Sequence, residues 1–252
     1  MFKGGRKGLV GLDIGSHAVK LDPKDTPAEW AEKLSNRSHL WRFRLKNVGD
    51  DPKKIEIDSE IELDVSDALK QAGFYDPDPA RNNAKIEGLT ARTGADRKKE
   101  LILALREPHD FMLVYSAQLP ETLKTGEKLA LKPLFSFAAG AIGTHPFQLS
   151  SIEYVPQWNG FFMLTSTEDA VSNAFFGNAL WFVSDAEVKS SVPSRPIKPQ
   201  ILWLFAVDMK AEGLCVLPNP TNEKLRLAIV FDNDFDDTTK PGRMQLIEVA
   251  KQ

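Results

Sequence analysis

Three stretches of this chain resemble one another, and the same succession of strand-like runs follows each. This recurrence constrains the fold more than any other feature. "KIEGLTA" (85–91), "SIEYVPQ" (151–157) and "AEGLCVLP" (211–218) share an acidic residue followed by small or aromatic and then aliphatic positions; they align Glu87, Glu153 and Glu212 at separations of 66 and 59 residues. An apolar strand ending in polar residues comes next in each unit, "LILALREP", "FFMLTSTED" and "LRLAIVFDND", and then a third strand, "FMLVYSAQL", "ALWFVSD" and "MQLIEVA". The first two units add a fourth, "LKPLFSFAA" and "QILWLFAVDM". Four antiparallel strands in about 60 residues read as a β-propeller blade, because one such sheet cannot cover its own faces and stacks radially on its neighbours.

The front of the chain fits the same scheme. "HLWRFRL" (39–45) and "KIEIDSEIEL" (54–63) match the third and fourth strands of a preceding unit, and "GLVGLDIGSHAVKL" (8–21) takes the second-strand place, with no first strand expected ahead of it. Helical spacing is confined to "TPAEWAEKL" (26–34) and "VSDALKQAGF" (65–74), both between strands. The expected fold is therefore all-β: a single domain over 1–252, a β-propeller of about four four-stranded blades. The units span about 8–75, 84–140, 150–209 and 210–252, and the last lacks a fourth strand. Such a chain is either closed by strands from both ends or part of a larger propeller.

Composition excludes some functions. Thirty-two basic against thirty-five acidic residues leave a net charge of −3, which gives no field to collect nucleic acid or an anionic membrane. The lone Cys215 cannot form an internal disulfide and, inside "LCVL", reads as a buried structural thiol. Glycines and an aspartate break the first apolar stretch, so no secretory core is expected and the chain reads as cytoplasmic as written, or periplasmic if its amino terminus is truncated.

The order of "GSH" after an apolar strand, "NRSHLWRFRL", "IEGLTA…LILALREP", "SSIEYVP…GFFMLTST" and "EGLCVLP…RLAIVFDND" resembles the bacterial domain-of-unknown-function family numbered 3616, over about residues 9–250. That resemblance implies a propeller similar in outline to the esterase-like domain associated with phytases. It implies no established activity, and this chain lacks the family's first acidic-Gly-Leu strand.

In a blade the start of the first strand lies beside the end of the second, so Glu87, Glu153 and Glu212 are expected near one mouth of a central channel. The polar strand ends Ser16, His17, Arg106, Glu107, Thr167, Glu168, Asp232 and Asp234 are expected to flank them. The carboxylates Glu87, Glu153, Glu212, Asp232 and Asp234 could hold Ca²⁺, a hard cation taking six to eight oxygens. His17 and Arg106 are the candidate catalytic residues, for acid–base work and for charge-assisted anion binding. Ser16, Glu107, Thr167 and Glu168 are the candidate ligand contacts. Equally open is a structural role in which repeated glutamates and an Arg106–Glu107 pair fix one blade against the next. "FDNDFDD" lacks the Gly of an EF-hand loop, and the chain has no P-loop, zincin motif or nucleophile elbow. An actin-like reading of "GLDIGSHAVKL" finds only "FAAGAIGTH" (137–145) as an adenosine-site echo and no second phosphate turn. The functional expectation is thus a ligand-binding or metal-assisted phosphoester or ester hydrolase acting at the channel mouth, on a small-molecule or protein ligand. The alternative is a non-catalytic interaction scaffold.

Overall fold

A computed structural model describes residues 2–4, 8–14, 24–36, 39–46, 56–73, 85–94, 96–107, 111–120, 124–168, 175–205, 210–218, 220–232 and 243–251. The chain is all-β with short helices, and its sheets are antiparallel meanders. The first sheet has β1 (Phe2–Gly4), β2 (Gly8–Ile14), β3 (His39–Lys46) and β4 (Glu56–Asp64) in that order. The second has β5 (Lys85–Thr93), β6 (Lys99–Glu107), β7 (Met112–Gln118) and β8 (Lys132–Phe137). A two-stranded ribbon, β9 (Ala141–Ile142) and β10 (His145–Pro146), leads into the third sheet. That sheet has β11 (Gln148–Val155), β12 (Gly160–Glu168), β13 (Phe175–Ser184) and β14 (Gln200–Phe205), and the fourth has β15 (Lys210–Val216), β16 (Lys224–Asp232) and β17 (Arg243–Ala250).

Two expectations about strand number meet different outcomes. Among the described residues the fourth sheet has three strands. The first sheet has a first strand after all: β1, only three residues long, pairs Phe2 with Val10 and Gly4 with Gly8. "MFKGG" is too short and glycine-rich to read as a strand by pattern, and only its partner β2 makes it one.

Both expected helices form, α1 (Pro27–Asn36) and α2 (Ser66–Gln71). Thr26 opens α1 with a reciprocal cap: its hydroxyl accepts from the Glu29 N–H at 3.3 Å, and the Glu29 carboxylate accepts from the Thr26 N–H at 2.7 Å. Pro27 follows at the first helical position, where its missing N–H costs nothing. A third helix, α3 (Asp185–Ser190), is capped the same way by Ser184 and Glu187.

Period-2 alternation sorts the side chains into three cores. On β6, Leu101, Leu103 and Leu105 face the first sheet with Leu40, Leu63, Val65 and Leu69, whereas Ile102 and Ala104 face the third sheet. On β12, Phe161 and Met163 pack toward the second sheet, and Phe162 and Leu164 toward the fourth. Sheets two and three are therefore covered on both faces, which is why "LILAL" and "FFML" are continuous apolar runs rather than alternating ones. The first strands lie nearest one another, with β11 between β5 and β15. Among the described residues no core cluster spans the fourth and first sheets, and no helix is long and apolar enough to cross a membrane.

Candidate functional site

The first strands share a bulge, and it sets the true register of the repeat. The pairing of β5 with β6 shifts between Ile86 and Gly88, that of β11 with β12 between Leu149 and Ser151, and that of β15 with β16 between Ala211 and Gly213. The extra residues are Glu87, Ser150 and Glu212. A bulge leaves one residue unpaired and re-aims it, so the equivalent positions run Lys85, Gln148, Lys210; then Glu87, Ser150, Glu212; then Thr90, Glu153, Cys215. The spacing is 63 and 62 residues, more regular than the 66 and 59 read from sequence.

Glu153 is therefore not a member of the Glu87 and Glu212 level. It stands three residues further along its strand than Ser150, about 10 Å at the usual strand rise. The expected ring of three glutamates at one mouth does not form, because "SIEYV" mimics "KIEGL" three residues out of step.

At the end where first strands begin and second strands finish, the charged side chains join one another across sheets. Arg106, 4% exposed, donates from Nε and Nη2 to Gln148 Oε1 at 2.8 and 2.5 Å, and from Nη2 to Glu168 Oε1. Lys210 Nζ lies 3.3 Å from Glu168 Oε2 and 2.7 Å from Glu212 Oε1. One chain of contacts thus runs from the second sheet through the third to the fourth. Burial works against the Glu168 carboxylate, but Arg106 and then Lys210 outweigh it and hold its pKa below the ordinary glutamate value. Burial likewise works against the Lys210 ammonium, and Glu212 and Glu168 overcome it and raise its pKa. Glu87 is at the same end, paired with Lys85 at 2.9 Å.

The other expected site residues are placed as follows. Thr167 is buried and donates to the His145 carbonyl at 3.0 Å, tying β12 to the ribbon. Asp232 is exposed and pairs in register with Lys210. Glu107 pairs in register with Lys85, and its side chain is outside the described residues, as are Ser16, His17 and Asp234 altogether. Arg106 finds a partner in Glu168, 62 residues on. Sequence reasoning missed Gln148, Lys85 and Lys210; the signal was available as the residue that opens each first strand. Among the described residues no three His, Cys, Asp or Glu side chains are grouped to hold a metal ion.

No protein-family model matches the chain, and no curated protein does. Ten chains of solved structures match it. One is an N-acetylgalactosamine deacetylase from F. plautii, solved in complex with blood group B trisaccharide, at a TM-score of 0.36 and 9% identity over 84% of this chain and 69% of that one. A likeness this remote assigns neither activity nor substrate.

Deeper along the first strands, the Thr90, Glu153 and Cys215 level is less polar. Thr90 Oγ1 lies 3.5 Å from Glu153 Oε2 and accepts from the Tyr154 N–H at 3.2 Å. Burial raises the Glu153 pKa, and the Thr90 hydroxyl offsets only part of that. Cys215 is exposed rather than buried, because the bulge at Glu212 turns it onto the outer face of the fourth sheet. Partial burial among its strand neighbours, and then Glu153, push its thiol pKa up, so at neutral pH it is a thiol and a poor nucleophile.

A second set of contacts joins the second and third sheets at their opposite end. Arg92 reaches Glu100 at 2.7 Å and Asp185 at 3.1 Å, with its guanidinium 5.5 Å from the centre of the Phe161 ring. Tyr154 donates to Asp185 at 2.8 Å. Burial, and then that bond, push its phenol up to about 12. Asn178 Oδ1 accepts from the buried Ala211 N–H at 2.8 Å, fixing the third sheet to the fourth.

Proposed function

We propose that this chain is a non-catalytic binding scaffold of the β-propeller type, in which charged residues at the ends of the first two strands lock each sheet to the next. The observation that carries this reading is the Arg106–Gln148–Glu168–Lys210–Glu212 chain. Its cations and carboxylates already satisfy one another across three sheets, which leaves little free charge to hold a metal or polarise a substrate. A guanidinium this deeply buried is retained only when paired. The successive stacking of meander sheets through their first strands supports the propeller architecture, as does the resemblance to family 3616.

One observation favours the hydrolytic reading instead. Glu153 is the one described carboxyl whose pKa is raised, as a general acid requires. Turnover of p-nitrophenyl phosphate and p-nitrophenyl acetate separates the two readings. The scaffold predicts rates no higher than buffer for the wild type and for Glu153→Gln alike. Turnover abolished by Glu153→Gln would overturn it.

A further inference from the structure

The fourth sheet presents outward the same face that the second sheet buries. The registers Gly88↔Ala104 and Ala104↔Val114 correspond to Gly213↔Val230 and Val230↔Met244, and Ser116↔Ile102 to Leu246↔Ala228. Ala104, Ile102 and Val114 are all 0% exposed beneath the third sheet, as Leu164, Phe162 and Leu180 are beneath the fourth. Of their counterparts, Val230 and Met244 are 48 and 65% exposed and the small Ala228 is 6% exposed, while Leu246, the counterpart of Ser116, is 52% exposed. The glycine makes the same point. A Cβ on Gly88 would meet Ile152 Cγ2 of the next sheet at 2.7 Å, so the missing side chain admits that sheet, whereas a Cβ on Gly213 would meet nothing beyond Val230 of its own sheet. The fourth sheet thus carries a docking face and notch shaped for the first strands of another such sheet.

The first sheet offers the matching surface at the other end of the series. Leu40, Leu63 and Ile61 turn toward the second sheet. Registers Trp41↔Glu62, Phe43↔Glu60 and Leu45↔Ile57 set Trp41, Phe43, Leu45 and Ile57 on the opposite, outward face, where Ile57 is 59% exposed. We infer that a second copy of this chain covers the Val230–Met244–Leu246 face with the Trp41–Phe43–Leu45–Ile57 face of its own first sheet. Two chains of four sheets, related by a twofold axis, satisfy both exposed ends at once and close a ring of eight sheets, inside the range of about four to eight in radial sheet assemblies. This rests on the propeller-type reading above.

Light scattering after size exclusion, across micromolar concentrations, tests the assignment. The wild type is expected at twice the 28.1 kDa chain mass. Val230→Glu with Leu246→Glu, or Ile57→Glu alone, should halve that mass, keep the far-ultraviolet spectrum and speed alkylation of Cys215, which lies on the covered face. A wild type that stays monomeric at every concentration overturns the inference, and so does a dimer whose mass none of these substitutions changes. If the monomeric wild type also melts lower when Val230→Glu is introduced, the face is covered within one chain, which likewise overturns it. None of these failures touches the inter-sheet contacts of Arg106, whose own test stands apart.

Discussion

Replacing Arg106 by leucine is the substitution whose consequence the structure defines most fully. The guanidinium is 4% exposed and makes three hydrogen bonds, two to Gln148 and one to Glu168. Breaking a buried ion pair from one side costs about 3–5 kcal/mol, because the partner charge is left uncompensated. Here Glu168 keeps Lys210 at 3.3 Å and its side chain is 24% exposed, so the loss should fall at or just below the bottom of that range, about 2–3 kcal/mol. Urea unfolding followed by tryptophan fluorescence at pH 7 reads the loss. The acid dependence supplies an internal check. Glu168 has a folded pKa below its ordinary 4.5; its stabilising contribution is present above the unfolded value and is lost as pH falls through the folded one. The difference between wild type and Arg106→Leu should therefore shrink as pH falls from about 5 to below 4. Pairing Arg106→Leu with Glu168→Leu should recover part of the loss, since neither member of that pair is then left charged and Lys210 keeps Glu212 at 2.7 Å. A loss under about 1 kcal/mol at pH 7, unchanged on acidification, would refute the reasoning by showing the pair to be a solvated one.

Further expectations concern the contacts between sheets. Gly88→Val places a methyl-bearing carbon against Ile152 and Ala104 and should cost about 1–3 kcal/mol of unfolding free energy by overpacking; the equivalent Gly213→Val should leave the stability of the single chain within about 0.5 kcal/mol. Asn178→Ala strips the acceptor from the buried Ala211 N–H and should cost about 1–3 kcal/mol in the same assay. Tyr154, with its phenol at about 12, should ionise after Tyr115, whose phenol burial raises less, in an ultraviolet titration. Its contribution to stability is present below the unfolded value of about 10 and is lost as pH rises toward 12, and Asp185→Asn should lower that pKa.

The all-β succession of antiparallel sheets was legible because the physics that builds it is local and periodic. "LILALRE" and "GFFMLTST" can only be strands covered on both faces, and their recurrence gives the stacking. The register of the third unit was not legible. Its bulge carries Ser150 where the others carry glutamate, and the neighbouring Ile152–Glu153 pair imitates Ile86–Glu87 closely enough to draw the alignment three residues along. Helix α3 was readable in principle from Ser184 and Glu187, a capping box ahead of a single turn, but six residues leave no periodicity to support it. "FAAGAIGTH", an echo of an adenosine site in sequence, forms the β9–β10 ribbon on which Thr167 rests. Among the expected site residues, Arg106, Glu168 and Glu212 are joined through Lys210 at one end of the sheets. Their role was not apparent, because the cations and amides that neutralise them, Lys210 and Gln148, come from first positions that only the correct register brings opposite.

Calcium titration followed by melting temperature bears most directly on the claim that these carboxylates hold sheets together and do not hold a cation. A cation bound by the native state stabilises it by mass action, by about 2.7 kcal/mol at a hundredfold excess over the dissociation constant. With Glu168 and Glu212 held by Arg106 and Lys210, and Glu87 by Lys85, millimolar calcium is predicted to leave the melting temperature unchanged in the wild type and in Glu212→Gln. A rise in the wild type that Glu212→Gln abolishes would contradict the account.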